Sequence, residues 1–544
     1  MFARIKKSGP HQYLQIVENR REGKRTLQRV LCTLGRMDHL RKRGEIENLV
    51  RSLARFSERV LLILSGKSDG QASAQRIGPA LLFERLWQEL HLDQILQSLL
   101  EGRKFGFAVE RAIFLTVLHR LFLSGSDRSC EKWRRDYSIE GVEDLSLHHL
   151  YRAMAFLGEE LADQRGTIPF APRCIKDRVE EALFLERRDL FTGLDLVFFD
   201  TTSIYFEGEG GEALGEKGHS RDHRSDLNQM VVGAVLDSVG TPLCCEMWPG
   251  NTTDVKALLP VLDRIRDRFR VSQFCVVSDR GMISWKTLQE LEQREIPYIL
   301  GARMRKAKEV QEEVLSRGGR YREVRPEGKS PKDPSPLRVK EVWVRDHRYI
   351  VCFNPKEARK DAQDRQTIIK ALKEKLQRDP KALIGNRGYR KYLRLDRDHI
   401  AIDPEKIVKE ARLDGKWVLK TNTDLSAEAV ALKYKELWRV EQVFRDLKSI
   451  LETRPIYHQR DETIRGHVFC SFLALLLRKE LDRRLEKAGH LLEWADIQQD
   501  LQSLQEITIQ ENGKRLAIRS ECQGVCSRVF QAVGVALPPT IREV

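Results

Sequence analysis

From Gly193 onward the chain reads as strand, strand, strand, helix, strand, helix, strand, and that order leaves few ways to wind a sheet. "LDLVFFD" is a short buried strand, and "NQMVVGAVLDSVGTPLCCEMWPGN" is two strands around the turn Asp237-Ser238-Val239-Gly240. "TTDVKALLPVLDRIRDRF" is an amphipathic helix with Thr252 or Thr253 as N-cap and Asp254 in its first turn. "FCVVSD" is the fourth strand, "SWKTLQELEQREI" a helix opening at Ser284, and "IPYILGAR" the fifth strand. A three-stranded meander followed by alternating helix and strand, with right-handed crossovers, is the order of a ribonuclease-H-like α/β core. Two of its strands run straight into a bare carboxylate: "LVFFD" ends on Asp200 and "VVSD" on Asp279. Two such ends on one sheet edge would make half of a metal site.

The rest of that site is expected after an interruption. Residues 303–400 interrupt: "KEVWVRDHRYIVCFNP" is a strand pair, "EGKSPKDPSP" a loop and "KEARKDAQDRQTIIKALKEKL" a charged helix, and "KWVLKTN" then returns to a strand. "SAEAVALKYKELWRVEQVFRDLKSIL" reads as one long helix opening near Ser426. On a continuous helix Tyr434, Glu441 and Lys448, seven apart in both steps, share one stripe, and Leu437 and Arg445 fall on the same face. An exposed Glu-Arg pair on an ordinary amphipathic helix gives the same pattern. Two strand-end aspartates in this strand order favour the other reading, a third carboxylate for two divalent ions.

Taken together, "FFDTTSIYFEG", "SRDHRSDLNQMVVGAVLDSVGTPL", "PGNTTD", "VVSDRGM" and "YKELWRVEQVFRDLKS…RPIYH…IRGHVFC" resemble the DDE transposases of bacterial insertion sequences, in the group marked by a Tyr-Arg-Glu-Lys signature. The resemblance runs from about Tyr13 to Lys479. It implies Asp200, Asp279 and Glu441 as catalytic, metal-holding residues, and a β-rich insertion between the second Asp and the Glu. Tyr434 and Lys448 match the outer signature positions, whereas Leu437 stands where the signature has arginine. Arg439 projects from another face; Arg445 shares the face and is a candidate for DNA contact. The implied cofactor is two Mg²⁺ ions, with Mn²⁺ as a substitute. The implied reaction is cut-and-paste transposition: cleavage at terminal inverted repeats, then attack of the freed 3′-OH on target DNA. No Ser or Tyr nucleophile is needed. Members of the group often excise through a DNA hairpin with a base flipped onto an aromatic, and the chain has eight Trp.

The remaining segments fit a DNA partner. Residues 1–40 read as a small β unit with the basic turn "ENRREGKR" around Gly23, and 41–190 as a mainly helical DNA-binding region. The core follows in two parts, 191–302 and 401–480, around the 303–400 insertion, and 481–544 is a helical and hairpin region, a candidate for synapsis, with a turn at Asn512-Gly513. Lys+Arg exceed Asp+Glu by 95 − 80 = 15, a balance that favours a polyanion. Two DNA ends must be brought together, so a homodimer on DNA is expected by analogy. The ten cysteines form no Cys-x-x-Cys pair, Cys522 and Cys526 standing four apart, which fits buried thiols in a reducing compartment. No apolar run of membrane-spanning length and no secretory h-region is read, and a cytoplasmic protein is expected.

Weaker candidates compete with this set. His219 and His223 are four apart but lie in a polar, loop-like stretch, and Asp222 and Asp226 are rival ligands that follow no apolar strand. "EGKS" at 327–330 has Glu323 where a phosphate loop needs glycine, and Ser203 lies in no esterase frame. Two other functions remain in view: a ribonuclease-H-fold nuclease without strand transfer, and a non-catalytic DNA binder derived from a transposase.

Overall fold

The computed structural model describes residues 2–22, 25–42, 45–46, 49, 71–123, 125–164, 167, 171–187, 196–271, 274–325, 337–378, 387–396, 399–450, 453–511 and 514–543. The turns expected at Gly23 and at Asn512-Gly513, the "EGKS" stretch and Gly193 lie outside the described residues. The chain divides into two compact units, one of Met1–Leu81, Asp136–Ser138 and Leu491–Val544, the other of Leu82–Arg135 and Ile139–His490.

The first unit draws strands from both ends of the chain. β1 (Phe2–Ser8), β2 (His11–Glu22) and β3 (Arg25–Arg36) form an antiparallel meander. β4 (Gln71–Arg76) belongs to a second sheet, whose other three strands are the last of the chain.

The second unit holds a nine-stranded mixed sheet. β5 (Leu196–Tyr205), β6 (Gln229–Leu236) and β7 (Pro242–Pro249) are the antiparallel meander expected from the sequence. β8 (Cys275–Ser278) and β9 (Tyr298–Gly301) follow, each after a helix, and run parallel to β5 and to β8 respectively. β10 (Arg322–Val324), β11 (Leu337–Val344) and β12 (His347–Phe353) come from the interrupting segment, which also carries the helix Pro355–Arg378 and the hairpin β13 (Leu393–Asp396) and β14 (His399–Ile402). β15 (Lys416–Thr421) closes the set, and the sheet order is β10-β11-β12-β15-β9-β8-β5-β6-β7. β15 lies between β9 and β12, so β10–β12 lengthen the same sheet at its β9 side. In the first unit, β16 (Gln505–Glu511), β17 (Lys514–Arg519) and β18 (Ile541–Glu543) complete the order β18-β17-β16-β4.

Period-2 alternation in β5 explains how the core positions a site. Val197 and Phe199 turn to one face, where they pack with Val276, Tyr298 and Leu300 against Leu258, Val261, Leu262 and Ile265 of the helix Asp254–Phe269. Phe198 and Asp200 turn to the other face. That core is large and buried, and it fixes the strands that carry the carboxylates. Helices start where the sequence placed their caps: the Ser284 hydroxyl accepts from Thr287 N–H, and that of Ser426 from Ala429 N–H. In the turn before β7, Asp237 Oδ1 accepts from Val239 and Thr241 N–H, and Gly240 has φ +84°, which favours glycine.

The long helix expected from Ser426 onward is three pieces. Ala427–Lys435 ends, Trp438–Arg445 begins, and Asp446–Ile450 widens into a π-turn. The first break is a tightened turn: Leu437 N–H donates to Tyr434 C=O, Arg439 to Glu436 and Val440 to Leu437, each three residues back. Tyr434, Glu441 and Lys448 therefore do not form a stripe on one regular helix. Leu437 turns into the core and is buried, rather than sharing a surface with Glu441.

Candidate active site

The register of two parallel strands brings the aspartates together. β5 and β8 pair Phe198 with Val277 and Phe199 with Ser278, so Asp200 and Asp279 come next on neighbouring strands. Neighbouring strands stand about 4.8 Å apart. Ser278 Oγ donates to Phe199 C=O at 2.9 Å and ties the two strands just before the carboxylates. The sequence places both aspartates at strand ends; Asp279 does follow the last residue of β8, but β5 runs on to Tyr205, paired with β6, so Asp200 lies inside its strand, beside the edge where β8 gives way to its loop. The Glu441 helix lies against β5 and β6. Asp200, Asp279 and Glu441 line a single cavity of about 350 Å³, with Thr202, Arg221, Asp254, Gly281, Met282 and Phe444.

Asp254 and Arg221 are not among the sequence-predicted site residues. The sequence marks Asp254 only as a first-turn helix residue. Its Oδ1 accepts from the Thr201 hydroxyl at 2.6 Å, and its Oδ2 lies 3.0 Å from Arg221 Nη2. Arg221 also stands 3.8 Å from Asp200 Oδ1 and donates to the Thr201 carbonyl. The signals that could have found them were "PGNTTD", ending on Asp254, and "SRDHRSD", which carries Arg221. Nothing in local periodicity aims either of them at a strand end some 20 to 50 residues earlier.

Burial pushes the Asp200 carboxyl up to about 6; Arg221 and the Thr201 N–H pull it down, while Asp279 and Asp254 push it up. Burial, the largest cause, outweighs the nearby guanidinium, so the ionised carboxylate is poorly solvated where it stands. Arg221 is the one cation among the described residues that line the cavity, against four carboxylates. An all-oxygen, acidic donor set of this kind suits hard divalent ions such as Mg²⁺.

The outer signature positions reach the same edge from different pieces of the broken helix. Tyr434 Oη donates to Asp279 Oδ1 at 3.1 Å, and burial with the neighbouring carboxylate raises the phenol's pKa. Gly301 at the end of β9 makes room for it, since a Cβ there would lie 2.4 Å from Tyr434 Oη. Lys448 Nζ donates to Asp222 Oδ1 at 3.0 Å. Arg439 donates to Ser238 C=O in the turn between β6 and β7, and Arg445 to Gln442 Oε1. Of the rival aspartates, Asp222 is engaged by Lys448 and Arg454, and Asp226 pairs with Arg224 at 3.0 Å. His219 and His223 lie in irregular backbone, His223 with φ +58°.

Among the described residues one further group of metal-ligating types gathers, Asp127, His458 and His467. Its donor atoms are already taken. Arg120 Nη2 lies 2.9 Å from His467 Nδ1 and 3.8 Å from Asp127 Oδ1, His467 Nε2 faces Thr453 C=O at 3.3 Å, and His458 Nε2 is 3.2 Å from Asp127 Oδ2. A guanidinium inside the cluster opposes a second cation, and the group reads as a buried polar clamp on the long helix Asp461–Lys487.

An α/β sheet that brings an aspartate on β5, another just after β8 and a helical glutamate to one cavity is the arrangement of a nucleic-acid-processing DDE enzyme. Residues 192–477 match the family model for the transposase DDE domain, which is more than half of the 544 residues, and the chain belongs to that family. Residues 3–69 match the N-terminal domain of IS1634 family transposases, which supports a bacterial insertion-sequence transposase. No curated protein matches the chain. Among solved structures, the cryo-EM piggyBac transposase synaptic complex with hairpin DNA is 10% identical, with a TM-score of 0.38, covering 78% of this chain and 79% of that one.

Proposed function

We propose that this transposase works by cut and paste: it binds the terminal inverted repeats of its element, cleaves DNA there, and joins the freed 3′-OH to target DNA. The observation that supports this most directly is the convergence of Asp200, Asp279 and Glu441 on one cavity. In this reading the sheet from β5 to β9 with the Glu441 helix is a ribonuclease-H-like core, and the 303–400 segment is the insertion that interrupts it. DNA, as a homodimer's substrate, is the partner.

The chain's own residues have definable tasks. Asp200, Asp279 and Glu441 would hold the divalent ions, Mg²⁺ by preference. When bound, those ions stabilise charge on the attacking and leaving oxygens of a phosphodiester. The Thr201 N–H fixes Asp200 Oδ1 at 2.7 Å, and the Tyr434 phenol fixes Asp279, so two of the three carboxylates are oriented before substrate arrives. Arg221, Lys448 and Arg454 supply positive charge for the DNA backbone beside the cut. Arg439 and Arg445 are candidates for further phosphate contacts along the same DNA. Water is the nucleophile of the first step and the DNA 3′-OH of the second, so no covalent protein–DNA bond forms.

The test is excision from a plasmid carrying the gene with its native flanks, run with Mg²⁺ or with EDTA. Wild type with Mg²⁺ is expected to release the element. Asp200→Ala, Glu441→Ala and the EDTA reaction are each expected to lose at least about 10³-fold, the scale of removing transition-state charge stabilisation. If both variants cut as well as wild type, the carboxylates are structural and this reading fails.

A further inference from the structure

The loop between β5 and β6 does something that the carboxylate set does not require. Adjacent residues, Arg221 and Asp222, reach opposite charges of the site. Arg221 faces the carboxylates of Asp200 and Asp254. Asp222 faces two cations that are far away in sequence, Lys448 at 3.0 Å and Arg454. The three side chains are largely covered, with 11% of Asp222, 12% of Lys448 and 27% of Arg454 exposed. The Arg454 guanidinium also lies over the Tyr205 ring at 5.8 Å, at the end of β5. Asp222 Oδ1 receives both cations, while Oδ2 is buried among the described residues with no hydrogen-bond partner. A long lysine side chain that is free to move carries substantial rotamer entropy, and two cations close together repel. One shared carboxylate removes both problems.

We propose that Asp222 is a positioning residue for the DNA-phosphate contact: it holds Lys448 and Arg454 as a fixed cation pair beside the carboxylate cavity. This rests on the transposase reading above. Asp222 touches no reacting atom, and it acts through the two cations. Its own negative charge faces the DNA side of the site, so it weakens attraction for DNA while improving placement. The consequence is an unusual split between binding and rate.

The experiment compares wild type with Asp222→Asn and Asp222→Glu on a duplex bearing the element end. Binding is measured in EDTA and single-turnover cleavage in Mg²⁺, with thermal melts as a folding control. Asp222→Asn is expected to melt within a few degrees of wild type and to bind the duplex as tightly or more tightly. Its cleavage rate should fall by about 10- to 100-fold, the cost of a misplacement on the ångström scale. Asp222→Glu, which keeps the charge, should recover part of the rate. A variant that loses binding and rate together with its melting temperature would show a purely structural role and overturn the proposal. So would a variant that binds and cuts faster, which would mean that Asp222 blocks the phosphate position. A variant that cuts at the wild-type rate also overturns it while leaving the transposase reading intact. Failure of wild type itself to cut would instead bring down that reading, and this inference with it.

Discussion

Asp200 is the residue on which function and stability pull in opposite directions. Its carboxyl is raised from 3.8 to about 6, chiefly by burial, with 13% of the side chain exposed. The folded state therefore holds the proton more tightly than the unfolded chain does. Well below 3.8 both states are protonated and nothing is lost; from there stability falls as pH rises, and well above 6 the full penalty stands. A rise of that size corresponds to at most about 3 kcal/mol. Asp200→Asn should thus be more stable than wild type by about 1–3 kcal/mol at pH 7.5 in EDTA, and should lose that advantage as pH falls to about 3. Urea unfolding of both proteins across that range checks it. Equal stability at both pH values would mean that the carboxylate is not held against its environment.

At the scale of elements, the sheet was legible because it depends on local pattern: short apolar runs, alternation and turn residues; the end of β5 was not, since the strand runs past Asp200 through "TTSIY" by pairing with β6. The Glu441 region was legible only in part. Composition gave a helix over "YKELWRVEQVFRDLKS", but the break at Leu437 follows from tertiary packing that draws a leucine into the core. Arg221 brings a cation to the carboxylates from a loop whose path no periodicity reveals. β4 was hidden for a similar reason: the apolar half of "QASAQR" is only Ala72 and Ala74, too weak a signal by itself, and it is a strand because β16 pairs with it. Packing between helices is equally specific. The helix Leu147–Gly158 meets the long helix Asp461–Lys487 through glycines: a Cβ on Gly466 would sit 1.9 Å from Met154 C=O, and one on Gly158 1.9 Å from Glu462 C=O. Backbone cannot yield as a flexible side chain does. Gly466→Ala is expected to cost about 3 kcal/mol or to abolish soluble expression, whereas Gly106→Ala, with nothing within 4 Å, should be near neutral. Denaturant midpoints of the two variants decide it.

For the whole molecule the governing quantity is charge. An excess of 15 positive charges gives a long-range attraction for DNA that is independent of sequence, and it must be shared between the carboxylate site and the rest of the chain. Arg221, Lys448 and Arg454 supply only part of it, because each is paired with a carboxylate. The N-terminal meander is the better source. Lys6, Lys7 and Arg29 are exposed on β1 and β3, in the stretch that matches the IS1634 N-terminal domain. Each phosphate contact contributes about 0.9 to the slope of log K against log salt. Replacing Lys6, Lys7 and Arg29 by alanine together should therefore flatten that slope for end-DNA binding by up to about 3. Among the described residues no helix is long and apolar enough to cross a membrane. Fluorescence anisotropy at several salt concentrations in EDTA reads the slope. Single-turnover cleavage at saturating protein should stay near wild type, because the carboxylates and their cations are untouched. An unchanged slope would move the DNA contact away from the meander and onto the helical region that follows it. A flattened slope with intact cleavage would separate the part of the chain that finds DNA from the part that cuts it.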